Sequence, residues 1–233
     1  MSKVEAKSVK VYKPEIMNCP KCGTKLVYVY TVSNKVIQFS SGKVMKIKNM
    51  GYKCPCCNDG LVYMSATAHK MSFKGYTYSA KVVCMIDELK SKHKSRDEIC
   101  DILISKGLEI SDRNVDILYK KLNEYINQDY DSIIKASYQR QMDTFNEIRI
   151  CVDLITINDT YYIILYDYFN GDILGLWKTS SLDVNNLKKL LGEYINDKLK
   201  ITYIVTVRPI VYFHQIIKSM APVKCKMLSF AKF

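Results

Sequence analysis

One stretch of the chain, residues 149–207, determines the order of its secondary structure more closely than any other. It opens with an apolar run that carries a single acid, Asp153; a second run, the turn N-G-D at residues 170–172 and a third run follow. Asn-Gly between apolar runs is typical of a β-hairpin. A buried-looking strand, I-T-Y-I-V-T-V, closes the stretch. Before it lies a helical pattern of apolar residues at Val184, Leu187, Leu190, Leu191, Tyr194 and Ile195. The stretch therefore predicts three strands, a helix and a fourth strand.

The length of the chain and the composition of its N-terminus bear on how many modules it has and in which compartment it works. A chain of 233 residues is long for one small domain, so we expect two or three modules. No apolar run reaches the roughly 18 residues of a membrane helix, and the N-terminus lacks an apolar signal core. We therefore expect a cytoplasmic protein with no membrane partner. In a reducing compartment, the nine cysteines favour metal ligands and core residues over disulfides.

The formal charge of +12 is concentrated at the start of the chain. Residues 1–80 hold thirteen lysines and three acids, whereas residues 81–126 hold nine bases and nine acids. A concentrated basic segment is typical of phosphate-backbone binding, so DNA is the expected partner. Within this segment we assign DNA contact to Lys43, Lys46 and Lys48. The alternative is an ordinary solvated surface, since lysine outnumbers arginine thirty to five.

Two pairs of cysteines lie in this basic segment. Cys19 and Cys22 form one pair, and Cys54 and Cys57 form the other, each with two residues between its members. Four thiolates at this spacing predict a tetrahedral zinc ion with a structural role, because no coordination position is left for a substrate. Cys56 is then the spare cysteine. The alternative is four thiols without a metal.

The residues between the two cysteine pairs predict the strands of a zinc ribbon. Apolar and polar residues alternate at residues 25–32, 35–40 and 43–49, with turns expected at residues 33–34 and 41–42.

Three helical patterns follow, between residues 78 and 126. Ser95 and Glu98 have the spacing of a capping box, Gly107 ends the second pattern and Ser111 caps the third. Two amphipathic helices with a short connection favour a helix-turn-helix, although any small three-helix bundle has the same pattern. On the helix-turn-helix interpretation, the third helix presents five polar residues to a major groove: Arg113, Asn114, Asp116, Lys120 and Lys121.

The expected modules are, in order, a zinc ribbon, a helix-turn-helix and a strand set with the sequence V-D-L-I-T-I-N-D-T-Y-Y-I-I-L-Y-D. This order and this sequence resemble the DDE transposases of prokaryotic insertion sequences. The resemblance covers nearly the whole chain and implies a ribonuclease-H-like third module. In that family, carboxylates hold two catalytic metal ions, and Asp153 matches the first of them. The second belongs near Val207, where this chain reads T-V-R-P, and the third lies further downstream than Phe233. The resemblance thus implies a truncated domain in which Asp153 is an ancestral ligand without function.

These expectations combine into an α+β multi-module protein. We expect a basic zinc-ribbon module at residues 1–75, a helix-turn-helix at 76–128, a linker or helix at 129–147 and a truncated ribonuclease-H-like domain at 148–233. The expected function is that of a transposase-derived DNA-binding protein, defective in catalysis. Zn²⁺ is its structural cofactor, with Mg²⁺ only if the catalytic site is complete. Two alternatives stay open: a transcription regulator or adaptor, which could be a homodimer, and a metal-dependent nuclease completed by another subunit.

Overall fold

The computed structural model describes residue 6, residues 8–206 and residues 211–229, which form eight strands and seven helices. The strands make two sheets, each with parallel and antiparallel pairs, so the protein is mixed α+β, as the sequence predicts. The chain divides into two compact units. The first comprises Met1–Met17 and Lys25–Asn127, and the second comprises Asn18–Thr24 and Gln128–Phe233.

The sheet of the first unit has three strands: β1 (Ser8–Tyr12), β2 (Val27–Gln38) and β3 (Val44–Lys53). Their order is β1-β3-β2, with β1 parallel and β2 antiparallel to β3. One face of this sheet carries a buried cluster, to which the short helix α1 (Ala66–His69) contributes. Its buried members are Tyr12, Ile37, Ile47 and Ala68, with Phe39, Met45 and Met71 packed against them.

The turn predicted at residues 33–34 is wrong, because β2 runs through it without a break. Ser33 pairs with Asn49 and Asn34 pairs with Lys48, so both residues stay in the ladder. The pairing of β2 with β3 is irregular at two other places, where the register shifts after Tyr28 and after Thr31. A β-bulge inserts an extra residue without ending the strand, which a polar dipeptide in a sequence does not distinguish from a turn.

Three longer helices complete the first unit: α2 (Ala80–Ser91), α3 (Arg96–Ser105) and α4 (Asp112–Ile126). The predicted capping box is confirmed, because the Ser95 hydroxyl accepts from the Glu98 amide while the Glu98 carboxylate accepts from the Ser95 amide. The predicted cap at Ser111 is also confirmed by its acceptance of the Asn114 amide. Gly107, just after α3, has a φ of 83°, a left-handed conformation that glycine adopts without strain.

The hairpin and the helices of the first unit are tied together at Gln38, which is buried at the end of β2. Its side-chain amide donates to the Glu109 carbonyl at 3.3 Å and accepts from the Glu109 amide at 2.9 Å. The Tyr78 hydroxyl donates to the same carbonyl at 2.7 Å. Glu109 lies between α3 and α4, so this pairing fixes the hairpin to the helix connection. A Cβ added at Gly42, in the hairpin turn, would lie 2.5 Å from the Lys106 carbonyl, which requires glycine there.

The second unit is built on a five-stranded sheet of order β6-β5-β4-β7-β8. Antiparallel pairs join β4 to β5 and β5 to β6, whereas β7 lies parallel to β4 and β8 parallel to β7. The strands are β4 (Ile148–Ile157), β5 (Thr160–Asp167), β6 (Ile173–Thr179), β7 (Ile201–Thr206) and β8 (Lys226–Ser229). The helices are α5 (Asp131–Phe145), α6 (Val184–Leu191) and α7 (Val211–Met220).

The order of elements predicted for residues 149–206 is confirmed, and its cause is local. The N-G-D turn at residues 170–172 connects β5 to β6, with Gly171 at a φ of 73°. All but one residue of β4 is buried, as a central strand covered on both faces requires. In the described part of the chain, the longest helices have 15 residues, and none is long and apolar enough to cross a membrane.

Candidate functional site

Four cysteines, from the two predicted pairs, come together. The Sγ atoms of Cys19, Cys22, Cys54 and Cys57 all lie within 4.8 Å of one another. Zinc–sulfur bonds of about 2.3 Å in a tetrahedron place the sulfurs roughly 3.8 Å apart, so small side-chain adjustments would close the set around one ion. Four sulfurs at these positions could therefore hold a metal such as zinc.

A turn holds each cysteine pair, and at the second pair a backbone amide points at a sulfur. At the first, the Gly23 amide donates to the Cys19 carbonyl at 2.9 Å, and Gly23 has a φ of 74° that suits glycine. At the second, the Cys57 amide lies 3.4 Å from the Cys54 sulfur and donates to it. An amide directed at a sulfur favours the thiolate form that a metal requires. Cys56 is exposed and is not a member of the cluster.

The cluster is enclosed on one side only. Cys19 and Cys54 are buried, Cys57 is half-buried and Cys22 is exposed. A metal held there would keep one edge near solvent while all four protein ligands occupy its coordination sphere. This arrangement suits a structural ion and gives no open position for a substrate.

The residues predicted to contact DNA from α4 differ in how available they are. Arg113 and Lys120 are exposed. The Asn114 side-chain amide donates to the Tyr78 hydroxyl at 3.3 Å, so part of its hydrogen-bonding capacity is used inside the unit. The Lys121 ammonium lies 3.2 Å from the Glu124 carboxylate and 4.7 Å from the centre of the Tyr125 ring.

Acids surround the start of α4 and reduce its positive charge. The Arg96 guanidinium lies 3.3 Å from Asp116, 3.5 Å from Asp112 and 3.8 Å from Asp97. The Lys90 ammonium lies 3.8 Å from Asp116. Exposed pairs of this kind contribute little stability, but they occupy two cations that a polyanion would otherwise attract. The exposed surface at the start of α4 is therefore close to neutral.

The three lysines predicted to bind DNA lie on the hairpin. Lys43 is exposed in the turn between β2 and β3, and Lys46 and Lys48 lie on β3. Lys46 and Lys48 alternate with the buried Ile47, so their side chains leave the sheet on the side opposite the apolar cluster. No acid occurs in β1, β2 or β3, and these strands hold five lysines.

Asp153 lies in the middle of β4, the central strand of the second sheet, and it is buried. On β7 the neighbouring pair is Val152 with Thr206, so Asp153 is close to the end of that strand. Val207 and Arg208, at the position of the family's second acid, lie outside the described residues. Among the residues that are described, the four cysteines are the only group of three or more His, Cys, Asp or Glu side chains that could hold a metal. No such group forms around Asp153 within that part of the chain.

Asp167, the acid on the neighbouring strand, has a structural position. Its fully buried carboxylate accepts from the Ser137 hydroxyl at 2.7 Å, from the Arg140 guanidinium at 2.5 Å and from the Phe169 amide at 2.8 Å. It pairs with Ile150 across the sheet, three residues along β4 from Asp153 and so roughly 10 Å away. Asp167 therefore joins α5 to the β5–β6 turn and does not supply a second ligand beside Asp153.

A hydrogen bond that the sequence did not indicate lies at the end of β7. The buried Thr206 hydroxyl is 2.9 Å from Nδ1 of His214, on α7. The two residues are eight apart, across residues 207–210, and neither has a neighbour in sequence that predicts the contact. The bond ties the start of α7 to the carboxyl end of β7.

Comparisons of the chain with protein-family models, with curated proteins and with solved structures found no match.

Proposed function

We propose that this chain is a DNA-binding protein derived from a DDE-type transposase, with a structural zinc ion and with a ribonuclease-H-like unit that does not complete a two-metal catalytic centre by itself. The observation that carries the proposal is the five-stranded sheet of the second unit, with Asp153 on its central strand.

The strand directions support the fold assignment. An antiparallel set of three strands, β4 to β6, is followed through α6 by β7 and then through α7 by β8, both parallel to β4. A ribonuclease-H-like sheet has this arrangement: three antiparallel strands, with two further strands on the other side of the first strand. In such a sheet the first acid lies on the first strand, which is β4 in this unit.

Two-metal chemistry sets a requirement that the described acids do not meet. Two divalent cations some 3.5–4 Å apart repel each other, and two or three carboxylates must offset that repulsion. Val207 offers no oxygen ligand from its side chain, and Arg208 adds a positive charge. Asp167 and Asp183 are committed elsewhere, since Asp167 is bonded to α5 and Asp183 caps α6. We infer that Asp153 alone holds Mg²⁺ poorly.

DNA binding is supported by charge and by the arrangement of the first unit. The excess of lysines lies on the hairpin and its flanks, where Lys43, Lys46 and Lys48 are located. The three helices α2 to α4 serve, in this proposal, as a helix-turn-helix in which Arg113 and Lys120 face the groove. Zinc would hold the cysteine-rich segment in its fold through Cys19, Cys22, Cys54 and Cys57.

The test has two arms, both on the full chain purified with zinc. In the first, fluorescence anisotropy measures affinity for a short labelled duplex while salt rises from about 50 to about 200 mM; we expect binding that weakens steeply with salt. Binding that is absent at the lowest salt contradicts the proposal.

The second arm compares the wild type with Asp153→Ala in the presence of Mn²⁺ and duplex DNA carrying transposon ends. We expect no cleavage by either protein. Cleavage by the wild type that is lost in Asp153→Ala would mean that a complete catalytic site exists. Preference for a promoter over transposon ends would favour a transcription regulator instead.

A further inference from the structure

One face of the sheet of the first unit lies opposite the apolar cluster described above. The open face is the part of this side formed by seven residues that register and alternation place there: Val9 and Val11 of β1, Lys46 and Lys48 of β3, and Tyr28, Asn34 and Val36 of β2. Paired residues project to the same side of a sheet, and Lys46 pairs with both Val9 and Val36. The contact between the rings of Tyr28 and Tyr52, 5.9 Å apart, extends the same side to the end of the hairpin.

On the open face Val9, Val11, Tyr28 and Asn34 are exposed and Val36, Lys46 and Lys48 are half-buried, while Gln38 and Tyr52, at the two ends of the same side, are buried. Val9 is 56% exposed, Val11 51% and Tyr28 51%. On the opposite face Ile37 and Ile47 are fully buried in the apolar cluster. Large apolar side chains exposed side by side mark a surface that another molecule covers.

The positive charge of the open face indicates what kind of molecule covers it. The cross-strand neighbours of Lys46 are Val9 and Val36, and those of Lys48 are Val11 and Asn34, so neither lysine stands opposite an acid in the ladder. The three strands contain no acid at all. If two copies of the chain docked through this face, their lysines would come together and the like charges would repel each other. A polyanion meets the same charges favourably.

The apolar part of the face distinguishes between forms of nucleic acid. A duplex presents phosphates on a convex surface, which would reach Lys46 and Lys48 but leave Val9 and Val11 in water. An unpaired strand offers the faces of its bases as well, which can stack on Tyr28 and cover the valines while its phosphates follow the lysines.

We infer that the open face binds single-stranded DNA, with Lys46 and Lys48 on the phosphates, Tyr28 stacked on one base and Val9 and Val11 against other bases of the same strand. This inference rests on the proposed DNA-binding function and adds to it the form of DNA and the surface that takes it. A protein that acts at the ends of a mobile element meets unpaired strands where a duplex opens.

The experiment measures anisotropy of the zinc-loaded full chain with a labelled oligothymidine and with a duplex of the same length. Lys46→Gln/Lys48→Gln should reduce the dependence of log affinity for the single strand on log salt by about 1.4, at roughly 0.7 per phosphate contact. The matched control is Lys188→Gln/Lys189→Gln, which removes two exposed lysines from α6 and should change nothing.

Stacking is tested separately at Tyr28. Tyr28→Ala should weaken binding of the single strand about 5- to 150-fold, the range measured for the loss of one base–aromatic stack, and should leave duplex affinity unchanged. Tyr28→Phe keeps the ring and should retain the affinity, which separates stacking from a general disturbance of the hairpin. Circular dichroism of each variant checks that the fold is intact.

Four results would overturn the inference. Duplex binding without single-strand binding contradicts it while leaving the proposed function standing, whereas failure of both forms removes the proposed function as well. Tighter binding of oligouridine than of oligothymidine would make RNA the occupant. A dimer in sedimentation that Lys46→Gln/Lys48→Gln strengthens would make a second copy the occupant.

Discussion

The two sheets of this protein are stabilised in different ways. In the second unit, nine of the ten residues of β4 are buried. In the first unit, only the last two of the twelve residues of β2 are buried, and its first five are exposed. A fully buried aliphatic or aromatic side chain contributes about 1.5–3 kcal/mol, so burial along β4 stabilises the second sheet directly. The first sheet buries one face over part of its length, and we expect it to depend on additional ties.

Those ties are of two kinds. One is the group of four sulfurs at Cys19, Cys22, Cys54 and Cys57, since Cys54 directly follows the last residue of β3. The other is the pairing of Gln38 with the Glu109 backbone. The comparison therefore predicts that the two sheets respond differently to the same treatment, and the treatments below are chosen to test that difference.

The largest difference should follow removal of the metal. Structural zinc contributes on the order of 10 kcal/mol to the fold of a small module, which is comparable to the whole stability of a domain. Chelation, or Cys22→Ser, should therefore unfold residues 15–66, and hydrogen exchange should show lost protection in β2 and β3 with protection retained in β4 and β5.

Cys56→Ser is the matched control for this prediction, because Cys56 is adjacent to the cluster but not part of it. It should leave exchange in both sheets unchanged. Equal damage from Cys56→Ser and Cys22→Ser would mean that the ligand set is different. Protection in β2 that survives chelation would mean that burial alone holds the first sheet.

An effect confined to the second sheet should follow Asp167→Ala. The change removes a buried carboxylate that accepts from Ser137, Arg140 and a backbone amide, and it should lower the unfolding free energy of the second unit by about 3 kcal/mol. Trp177 on β6 is the only tryptophan in the chain, so its fluorescence during urea unfolding reports on this unit.

Asp172→Ala provides the comparison for Asp167→Ala. The Asp172 carboxylate is exposed in the same turn and accepts from the Asn170 side chain, so its loss should cost less than about 1 kcal/mol. Equal losses for the two variants would show that the turn matters and the buried carboxylate does not.

The smallest effect should be a pH dependence confined to the first unit. Hydrogen bonds from Lys94 and then from Ser95 lower the pKa of Glu98 to about 2, from an ordinary value of 4.5. A carboxyl whose pKa is depressed in the folded state adds stability above its unfolded pKa and loses it as the pH falls. The contribution of Glu98 should therefore decline between pH 4.5 and about 2.

The measurement for Glu98 is an NMR titration of its carboxyl group, with Glu98→Gln as the variant in which the first unit loses this part of its acid dependence. Ser95→Ala should lower the stability of the first unit by about 1 kcal/mol and raise the pKa of Glu98. Trp177 fluorescence should be the same in all three proteins at each pH. An apparent pKa near 4.5 in the wild type would mean that the capping box does not persist in solution.

The parts of the fold that could be predicted from the sequence depend on neighbours in sequence. The β5–β6 hairpin follows from an N-G turn between apolar runs, and the starts of α3 and α4 follow from Ser95 and Ser111 with the residues three positions on. The cysteine pairs could also be predicted, because the two-residue spacing is itself the signal, and the structure brings all four sulfurs together.

The parts that could not be predicted depend on distant partners. β1 was missed because five alternating residues are too few to identify a strand before its neighbour is known. The role of Asp167 was missed because Ser137 and Arg140 are some thirty residues away. The helix-turn-helix, the DNA contacts and the absence of catalysis stay predictions, and Val207 lies outside the described residues.

The pairing of Gln38 with Glu109 has a consequence for the order in which the protein is made. The two partners are 71 residues apart, and Gln38 is buried. When a ribosome has released both cysteine pairs and the strands between them, Glu109 has not yet emerged, so the Gln38 side chain has no backbone amide and carbonyl to pair with. A buried amide without partners costs about 1–3 kcal/mol, and the hairpin end should therefore dock only after the residues between α3 and α4 are synthesised. The nascent chain thus holds its metal ligands early but completes the first unit late, in a single step that joins strands and helices.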